Sequence, residues 1–389
     1  MKARGPFGWP KGTLPQALGG TGGTDAVSAW AALAQLASQA EARAGTDATK
    51  AVTSARLADR LPVSATQFLR LQQSATSGAL QYTGNDGFKN LAGRNGGLEV
   101  WQRGTPVSVA ASTTAYTVDG WALKTGANQA STVTQAARGG GSRYAALVQR
   151  NSGQTGTTAM NFEFPLDTDE IVPMQGKVVT LSMDLAAGVN WSPTSGNMTI
   201  ELRTGTGSAA KRSAGAYTGD AAPISVTQSL TAGGAYTRYT FTSSAIGASV
   251  TQASIYLTWT PTGTAGVNDW FAIDDVQLEI SPVATAFERR PFALEELACQ
   301  RHLRVYSTDP LGLADTVSTL YGRGSIPFGV AMRTTPSLLS GATYTVNAGS
   351  AGTVALENAT PRGTAWTNSA ANWTVNAIVR ISASLSAEI

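Results

Sequence analysis

The chain is short of nearly everything that catalysis and metal binding use. In 389 residues there is one cysteine and one histidine. A single thiol excludes an internal disulfide framework and any metal site built from thiolates. A single imidazole leaves His302 as the only candidate base for a Ser-His-Asp or Cys-His arrangement. No Gly-x-Ser-x-Gly elbow precedes a helix. Charge is scarce too: 14% of residues are Asp, Glu, Lys or Arg, against the usual quarter, and the formal net charge is +3. No basic run exists beyond Arg289-Arg290, which argues against binding nucleic acid through its phosphates. No stretch of eighteen apolar residues is present, so no membrane-spanning helix is expected. The opening "MKARGPFGWPKGTLP" has a basic start without the apolar run of a secretory signal. "GGTGGT" lacks the Gly-Lys-Ser/Thr ending of a phosphate loop and follows no strand.

What the chain has instead is 42% hydrophobic residues and 42 glycines. Its surface must therefore be covered largely by Ser, Thr, Asn, Gln and Gly. Residues 1–24 are so rich in Gly and Pro that an extended arm is expected. Residues 25–90 read as short helical pieces: a weak heptad-like spacing in "AVSAWAALAQLASQAEARA", then "TSARLADRL" and "SATQFLRLQQSA". From residue 91 to 290 short runs rich in Val, Thr, Tyr and Trp alternate with turn residues. "STVTQAA", "RYAALVQR", "MNFEFPL", "KVVTLSMDLAA", "NMTIELRT", "RYTFTSSA", "ASIYLTWTP" and "DWFAIDDVQLEI" predict an all-β sandwich, a jelly roll. Residues 291–306 predict a linking helix. Leu294, Leu297, Ala298 and Val305 lie on one stripe, and Phe292, Cys299 and Leu303 on another. Residues 307–389 return to short strands, a smaller C-terminal β domain.

Three constellations invite chemistry. Cys299 and His302 stand at i and i+3 on the expected helix. They read as a nucleophile pair or, far more simply, as a joint that buries Cys299 and leaves His302 partly exposed. Asp167, Asp169 and Glu170 precede Pro173, as carboxylates on a solvated turn or as a glycosidase pair. Strict alternation places Asp274 in a row with Ala272, Val276, Leu278 and Ile280. A carboxylate in an apolar row needs a partner. Calcium is one answer and hydrogen bonds to a turn are the other. Nine tryptophans add a fourth signal, since a flat ring stacks on the apolar face of a sugar. Trp101 and Trp121 read as core. Trp191 and Trp270, at strand ends, and Trp366 and Trp373, in "TAWTNSAANW", read as candidate carbohydrate-binding residues.

Several stretches taken in order resemble the tail fibres of phages and gene-transfer agents. "LPQALGGTGGTDAVSAWAALAQL" is similar to their Gly-Gly-Thr-Gly segment and alanine-rich helix. "AEARAGTDATKAVTSARL" resembles their Ala-Gly-Thr-Asp motif, with Ser54 where proline is usual. "NGGLEVWQRGT", "YTVDGW", "GKVVTLSMDLAAG" and "FAIDDVQLEISPVATAFERRPFALEELACQRH" look like the carbohydrate-binding-type jelly roll of such fibres, with His302 in place of an aromatic residue. "IPFGVAMRTTPSL" resembles a strand of the C-terminal domain. The resemblance implies a fibrous homotrimer with no catalytic role. Its N-terminal arm would be fixed to tail or capsid, and its β domains would bind a host surface glycan. It also implies a structural calcium site joining the first turn, at Asn95 and Glu99, to Asp274 or Asp275. A spike or collar protein that binds no glycan, and a polysaccharide depolymerase, are the alternatives. A depolymerase typically uses a long β-helix, and no such repeat is present. The expected location is the virion, reached by assembly and lysis.

Overall fold

The computed structural model describes residues 71–73, 80–82, 88–138, 142–313, 315–318, 321–339, 343–346, 352–353, 355–369 and 378–389. The expected arm and the first helical pieces lie outside the described residues. The chain divides into two compact units, residues 1–83 and 84–389. In the first unit, β1 (Leu71–Gln73) pairs antiparallel with β2 (Leu80–Tyr82), Leu71 opposite Tyr82. The expected helix "SATQFLRLQQSA" is therefore a strand over its Leu71–Gln73 portion.

The second unit is mainly β. Its jelly roll contains β3 (Val107–Val109), β4 (Thr114–Tyr116), β5 (Ala122–Lys124), β6 (Ser131–Ala137), β7 (Tyr144–Arg150) and β8 (Met160–Pro165). It continues through β9 (Thr180–Ala187), β10 (Asn197–Gly205), β11 (Ala221–Ser229), β12 (Thr237–Thr242), β13 (Gln252–Trp259) and β14 (Trp270–Glu279). These make two six-stranded antiparallel sheets, ordered β11-β10-β13-β8-β5-β4 and β12-β9-β14-β7-β6-β3. Each of the eight quoted strand segments falls on one strand. The short strands β3, β4 and β5, and the polar β11, carry too little alternation to stand out.

The sandwich forms because alternate side chains of both sheets are apolar and meet between them. Met198, Ile200 and Leu202 of β10, Ile255 and Leu257 of β13, and Phe162 and Phe164 of β8 are fully buried. They face Leu181, Met183 and Leu185 of β9 and Phe271 and Ile273 of β14. An aromatic cluster fills the middle: Trp121 stacks on Phe162 at 4.9 Å, and Phe271 meets Phe162, Trp191 and Trp259 edge-on at 6.1, 5.7 and 4.9 Å. Each such ring contributes roughly 2–3 kcal/mol through burial.

Residues 88–100 close one end of the sandwich without forming a strand. The Asn90 amide donates to the Val276 carbonyl at 2.9 Å, and its oxygen accepts from Leu278 and Ala92. Val276 donates to the Gly96 carbonyl at 2.8 Å. A Cβ on Gly96 would stand 2.5 Å from the Val276 oxygen, so only glycine allows this approach.

Two short α-helices follow the sequence signals with changes. α1 (Thr168–Ile171) carries a full capping box. Asp167 caps the first turn, and Glu170 reaches back to the Asp167 N–H at 2.7 Å. The expected solvated turn is thus a capped one, and Glu170 is buried against Arg94 at 3.0 Å. α2 (Phe292–Gln300) is shorter than the expected 291–306, because Leu303 already belongs to a strand. Its two apolar stripes are not both covered. Cys299 is buried, whereas Phe292, Leu294 and Leu297 are exposed. His302 is buried as well, not partly exposed.

Beyond α2 come two more antiparallel sheets. One is ordered β15 (Leu303–Leu313), β23 (Ile378–Ser386), β19 (Thr343–Val346) and β20 (Gly352–Thr353), with β18 (Ser337–Leu338) also on β23. The other is ordered β16 (Asp315–Ser318), β17 (Tyr321–Pro327), β22 (Gly363–Ser369) and β21 (Ala355–Thr360). Side-chain ties bind this region to the jelly roll. Gln102 donates to the Leu303 carbonyl at 2.9 Å, Arg103 pairs with Glu388, and Arg301 reaches Asp169 at 3.2 Å. Among the described residues no helix is long and apolar enough to cross a membrane.

Candidate functional site

Strand register assembles one polar surface that no single segment of sequence displays. On the outward side of the first sheet, Tyr116 lies opposite Ala122, Ala122 opposite Glu163, Glu163 opposite Tyr256, Tyr256 opposite Glu201, and Glu201 opposite Ser225. The next row runs Thr114, Lys124, Asn161, Thr258, Thr199 and Thr227. Arg203 lies on the same face, opposite Ser254. Four strand steps separate Tyr116 from Glu201, about 19 Å across the sheet. Two phenol rings, two carboxylates, an amide, an ammonium and several hydroxyls share this face. That is the mix of apolar ring and fixed hydrogen-bonding group that holds a polyhydroxylated ligand.

The connection from β10 to β11 folds back over part of the face. Ser213 donates its backbone N–H to both Glu163 oxygens at 3.3 Å, and its hydroxyl donates to one of them as well. Lys124 donates to the Ser213 carbonyl at 2.8 Å. Tyr217 pins the connection from beneath. Its hydroxyl bonds the Ala210 carbonyl at 2.9 Å and shares a 2.6 Å bond with Ser254. Asp220 takes two guanidiniums, Arg212 at 2.9 Å and Arg203 in closer contact, and Arg203 also reaches Glu201 at 3.2 Å. These bonds carry Lys211 to 4.4 Å from the centre of the Tyr116 ring and the Arg212 guanidinium carbon to 5.9 Å from that of Tyr256. Burial pushes the Glu163 carboxyl up, and the Ser213 bonds offset part of the rise. The Tyr256 hydroxyl is pushed up to about 12, by burial first and the Glu163 charge second.

The tryptophans selected from sequence lie elsewhere. Trp191 is a core residue, not a surface platform. It is 8% exposed, its ring packs between Trp259 and Phe271, and its N–H donates to the Gly196 carbonyl at 3.0 Å. A strand end says little about exposure when the following turn folds inward. Trp270 is half-buried on the outward side of the opposite sheet, paired with Gln149. Its ring lies against Gly188, where a Cβ would come within 2.7 Å of the indole nitrogen. Trp366 belongs to β22, opposite Gly324, and its side chain lies outside the description. Trp373 lies outside the described residues. Trp121 is fully buried as expected, and Trp101 is half-buried against the core.

Asp274 finds a different cation from the one considered. A bulge between Asp274 and Gln277, with Asp275 at φ 47°, breaks the alternation of β14. Ile273 faces the core before the bulge and Val276 and Leu278 face it after. Asp274 therefore points to the outer side with Ala272, opposite Asp184, instead of sharing a row with Val276 and Leu278. It is nonetheless fully buried, because Arg138 lies over it and bonds both Asp274 and Asp184. The Tyr236 ring covers Arg138 in turn at 4.6 Å. Asp275 accepts from Ser142 and stands 3.4 and 3.5 Å from Arg138 and Arg289. Asn95 closes its own loop: its oxygen accepts from the Val100 N–H at 2.8 Å and its amide donates to the Val100 and Asp119 carbonyls. Glu99 accepts from the Arg143 N–H at 3.2 Å. Calcium requires six to eight oxygens converging on one point. Here the carboxylates converge on a guanidinium, and no group of three or more His, Cys, Asp or Glu among the described residues is placed to hold an ion. The four residues Asn95, Glu99, Asp274 and Asp275 do not fit a calcium ion.

The stretch from Phe271 to His302 is a joint between the last jelly-roll strand and the C-terminal region. Burial raises the Cys299 thiol well above its ordinary range, and burial with Arg94, Arg333 and Arg301 holds His302 well below its own. A thiol kept protonated beside a neutral imidazole is no activated nucleophile pair. His302 stands 3.8 Å from Asp167, and Arg301 3.6 Å from the same carboxylate. Arg290 donates to the Gly93 and Asn90 carbonyls at 2.6 and 2.9 Å and covers the Phe88 ring.

Sequence reasoning missed Tyr116, Glu163, Glu201 and Tyr256. The available signal was parity. In "MNFEFP" and "ASIYLTW" the polar residue between two core aromatics or aliphatics must face outward.

No family model matches the chain. No curated protein matches it either. Among solved structures, the family 22 carbohydrate-binding module of Clostridium thermocellum Xyn10B is 15% identical, with a TM-score of 0.29, over 45% of this chain and 99% of that one. A structure titled for carbohydrate-binding module family 4 gives 16% identity and a TM-score of 0.30 over 48% of this chain and 99% of its own. A cyclase from Fischerella sp. TAU in complex with 4-(1H-indol-3-yl)butan-2-one gives 16% identity and a TM-score of 0.32 over 49% of this chain and 96% of its own. Likeness at this level carries no information about ligand. The chain's mainly β, jelly-roll character stands on its own strand order and register.

Proposed function

We propose that this protein is a fibre of a virus-like particle that attaches to host surface polysaccharide, with the outward face of the first sheet as its glycan site. The observation that supports the reading is the register row Tyr116, Glu163, Tyr256 and Glu201. It puts rings and fixed polar groups on one surface that core packing does not require. The fibre, its homotrimeric state and its attachment to tail or capsid rest on the resemblance of the motifs in "LPQALGGTGGTDAVSAWAALAQL" and "NGGLEVWQRGT". Binding at one such face is weak, and three copies per fibre with many fibres per particle raise it through avidity.

The test is sizing chromatography with light scattering on the purified chain mixed with the host's isolated surface polysaccharide. The expected result is a trimer that co-elutes with polysaccharide of unchanged length. Tyr256→Ala should weaken co-elution while Trp270→Ala leaves it intact. Loss with Trp270→Ala alone moves the site to the opposite sheet. Polysaccharide that shortens with time makes the protein a depolymerase, and the absence of co-elution favours a spike or collar protein without a glycan site.

A further inference from the structure

We infer that this face takes an acidic glycan, one bearing carboxylates, and that Lys124 and Lys211 select it; the inference rests on the glycan reading above and names its ligand class. The first ground is what stands over the rings. A neutral sugar needs a bare aromatic face to stack on. Here Lys211 stands 4.4 Å above Tyr116, and Arg212 leans over Tyr256 at 5.9 Å. A ligand that reaches either ring meets a cation first.

The second ground is the balance of charge. Arg203 and Arg212 are consumed by Glu201 and Asp220. Glu163 is sealed beneath Ser213 at 1% exposure. Lys124 is held by the Ser213 carbonyl at 2.8 Å, and Lys211 lies over a ring. Among the described residues neither ammonium has a carboxylate within ion-pair distance. Glu163 and Glu388 feel the Lys211 charge only from further off. Lys89 and Lys177 likewise have no ion-paired carboxylate among the described residues, but Lys124 and Lys211 are the two that share this face. Both are half-buried and held by neighbours, so an incoming carboxylate meets ammoniums that are already placed.

The test is affinity electrophoresis of the full chain through gels containing polygalacturonate, alginate or polysialic acid, with methyl-esterified pectin and dextran as neutral counterparts. Acidic glycans should retard the protein and neutral ones should not, and added salt should weaken the retardation. Lys124→Gln and Lys211→Gln should each weaken binding about threefold to fivefold. Lys211→Arg should preserve it, and Lys177→Gln, at an exposed site away from the face, should leave it unchanged. Equal retardation by the esterified and free polymers overturns the inference, as does an equal loss with the Lys177 variant. Failure of every acidic probe, while the host polysaccharide still co-elutes, overturns the inference and leaves the glycan reading standing. If the host polysaccharide does not co-elute either, both fall.

Discussion

The guanidinium of Arg150 meets the carboxylate of Asp269 at 2.8 Å with each side chain only 2% exposed. The pair is a hub: Asp269 also accepts from the Ser192 N–H and hydroxyl at 3.1 and 3.0 Å, and Arg150 donates to the Gly156 carbonyl at 2.8 Å. It ties three connections together at one end of the sandwich. Asp269→Ala leaves a buried guanidinium unpaired and should cost about 3–5 kcal/mol, read from urea unfolding. Arg150→Met with Asp269→Leu should recover most of that loss, since removing both charges removes the desolvation cost.

Trp191→Ala should behave as a core mutation. Removing a ring packed on Trp259 and Phe271 should lower stability by about 3–5 kcal/mol. Under conditions where the variant stays folded, its glycan binding should match the parent. A selective loss of binding at unchanged melting temperature would return Trp191 to the surface.

His302 gives the joint a pH dependence with a definite sign. Its folded pKa is depressed by burial and by Arg94, Arg333 and Arg301, while Asp167 at 3.8 Å pulls the other way. Above the unfolded value of about 6.5 both states hold it neutral. As pH falls below that value the unfolded chain takes up a proton that the folded chain does not. Stability should therefore fall as pH drops from about 6.5 toward 5, by at most about 1.4 kcal/mol per pH unit from this group. His302→Gln should flatten that slope in melts recorded across the window.

Calcium should have no effect on stability. The charge of Asp274 is met by Arg138, so chelation with EDTA and addition of millimolar calcium should leave the melting temperature unchanged. Arg138→Ala should cost about 3–5 kcal/mol by leaving the buried Asp274 without its cation, while Asp184 keeps Arg238 at 3.2 Å. A rise in melting temperature with calcium in the parent protein would show that the guanidinium yields its place.

What could be read in advance follows from the range of the forces involved. The strands from "STVTQAA" to "DWFAIDDVQLEI" show their period locally, so the sandwich was legible. The partner of Asp274 was not, because Arg138 lies 136 residues away and arrives only when β6 and β14 enter one sheet. The same limit hid the face of Tyr116, Glu163, Tyr256 and Glu201, each supplied by a different strand. Trp191 was misplaced for another reason. Its segment is rich in turn residues, and a turn that folds under the sheet edge carries the same composition as one that projects. The bulge at Asp275 inverted the parity of β14, which local alternation cannot anticipate.

The pairing of Leu303 with Ser386 has a consequence for how this protein could diversify. The chain leaves the joint and returns to it on adjacent rungs of one ladder, and Ala387 closes the circuit by donating to the His302 carbonyl at 2.7 Å. The described residues between them are entered and left through these neighbouring rungs, with Arg333 adding a bond to the Arg301 carbonyl at 2.7 Å. Recombination at those two rungs exchanges some eighty residues as a cassette while every jelly-roll strand keeps its register. The C-terminal sheets can thus vary without rebuilding the jelly roll that carries them.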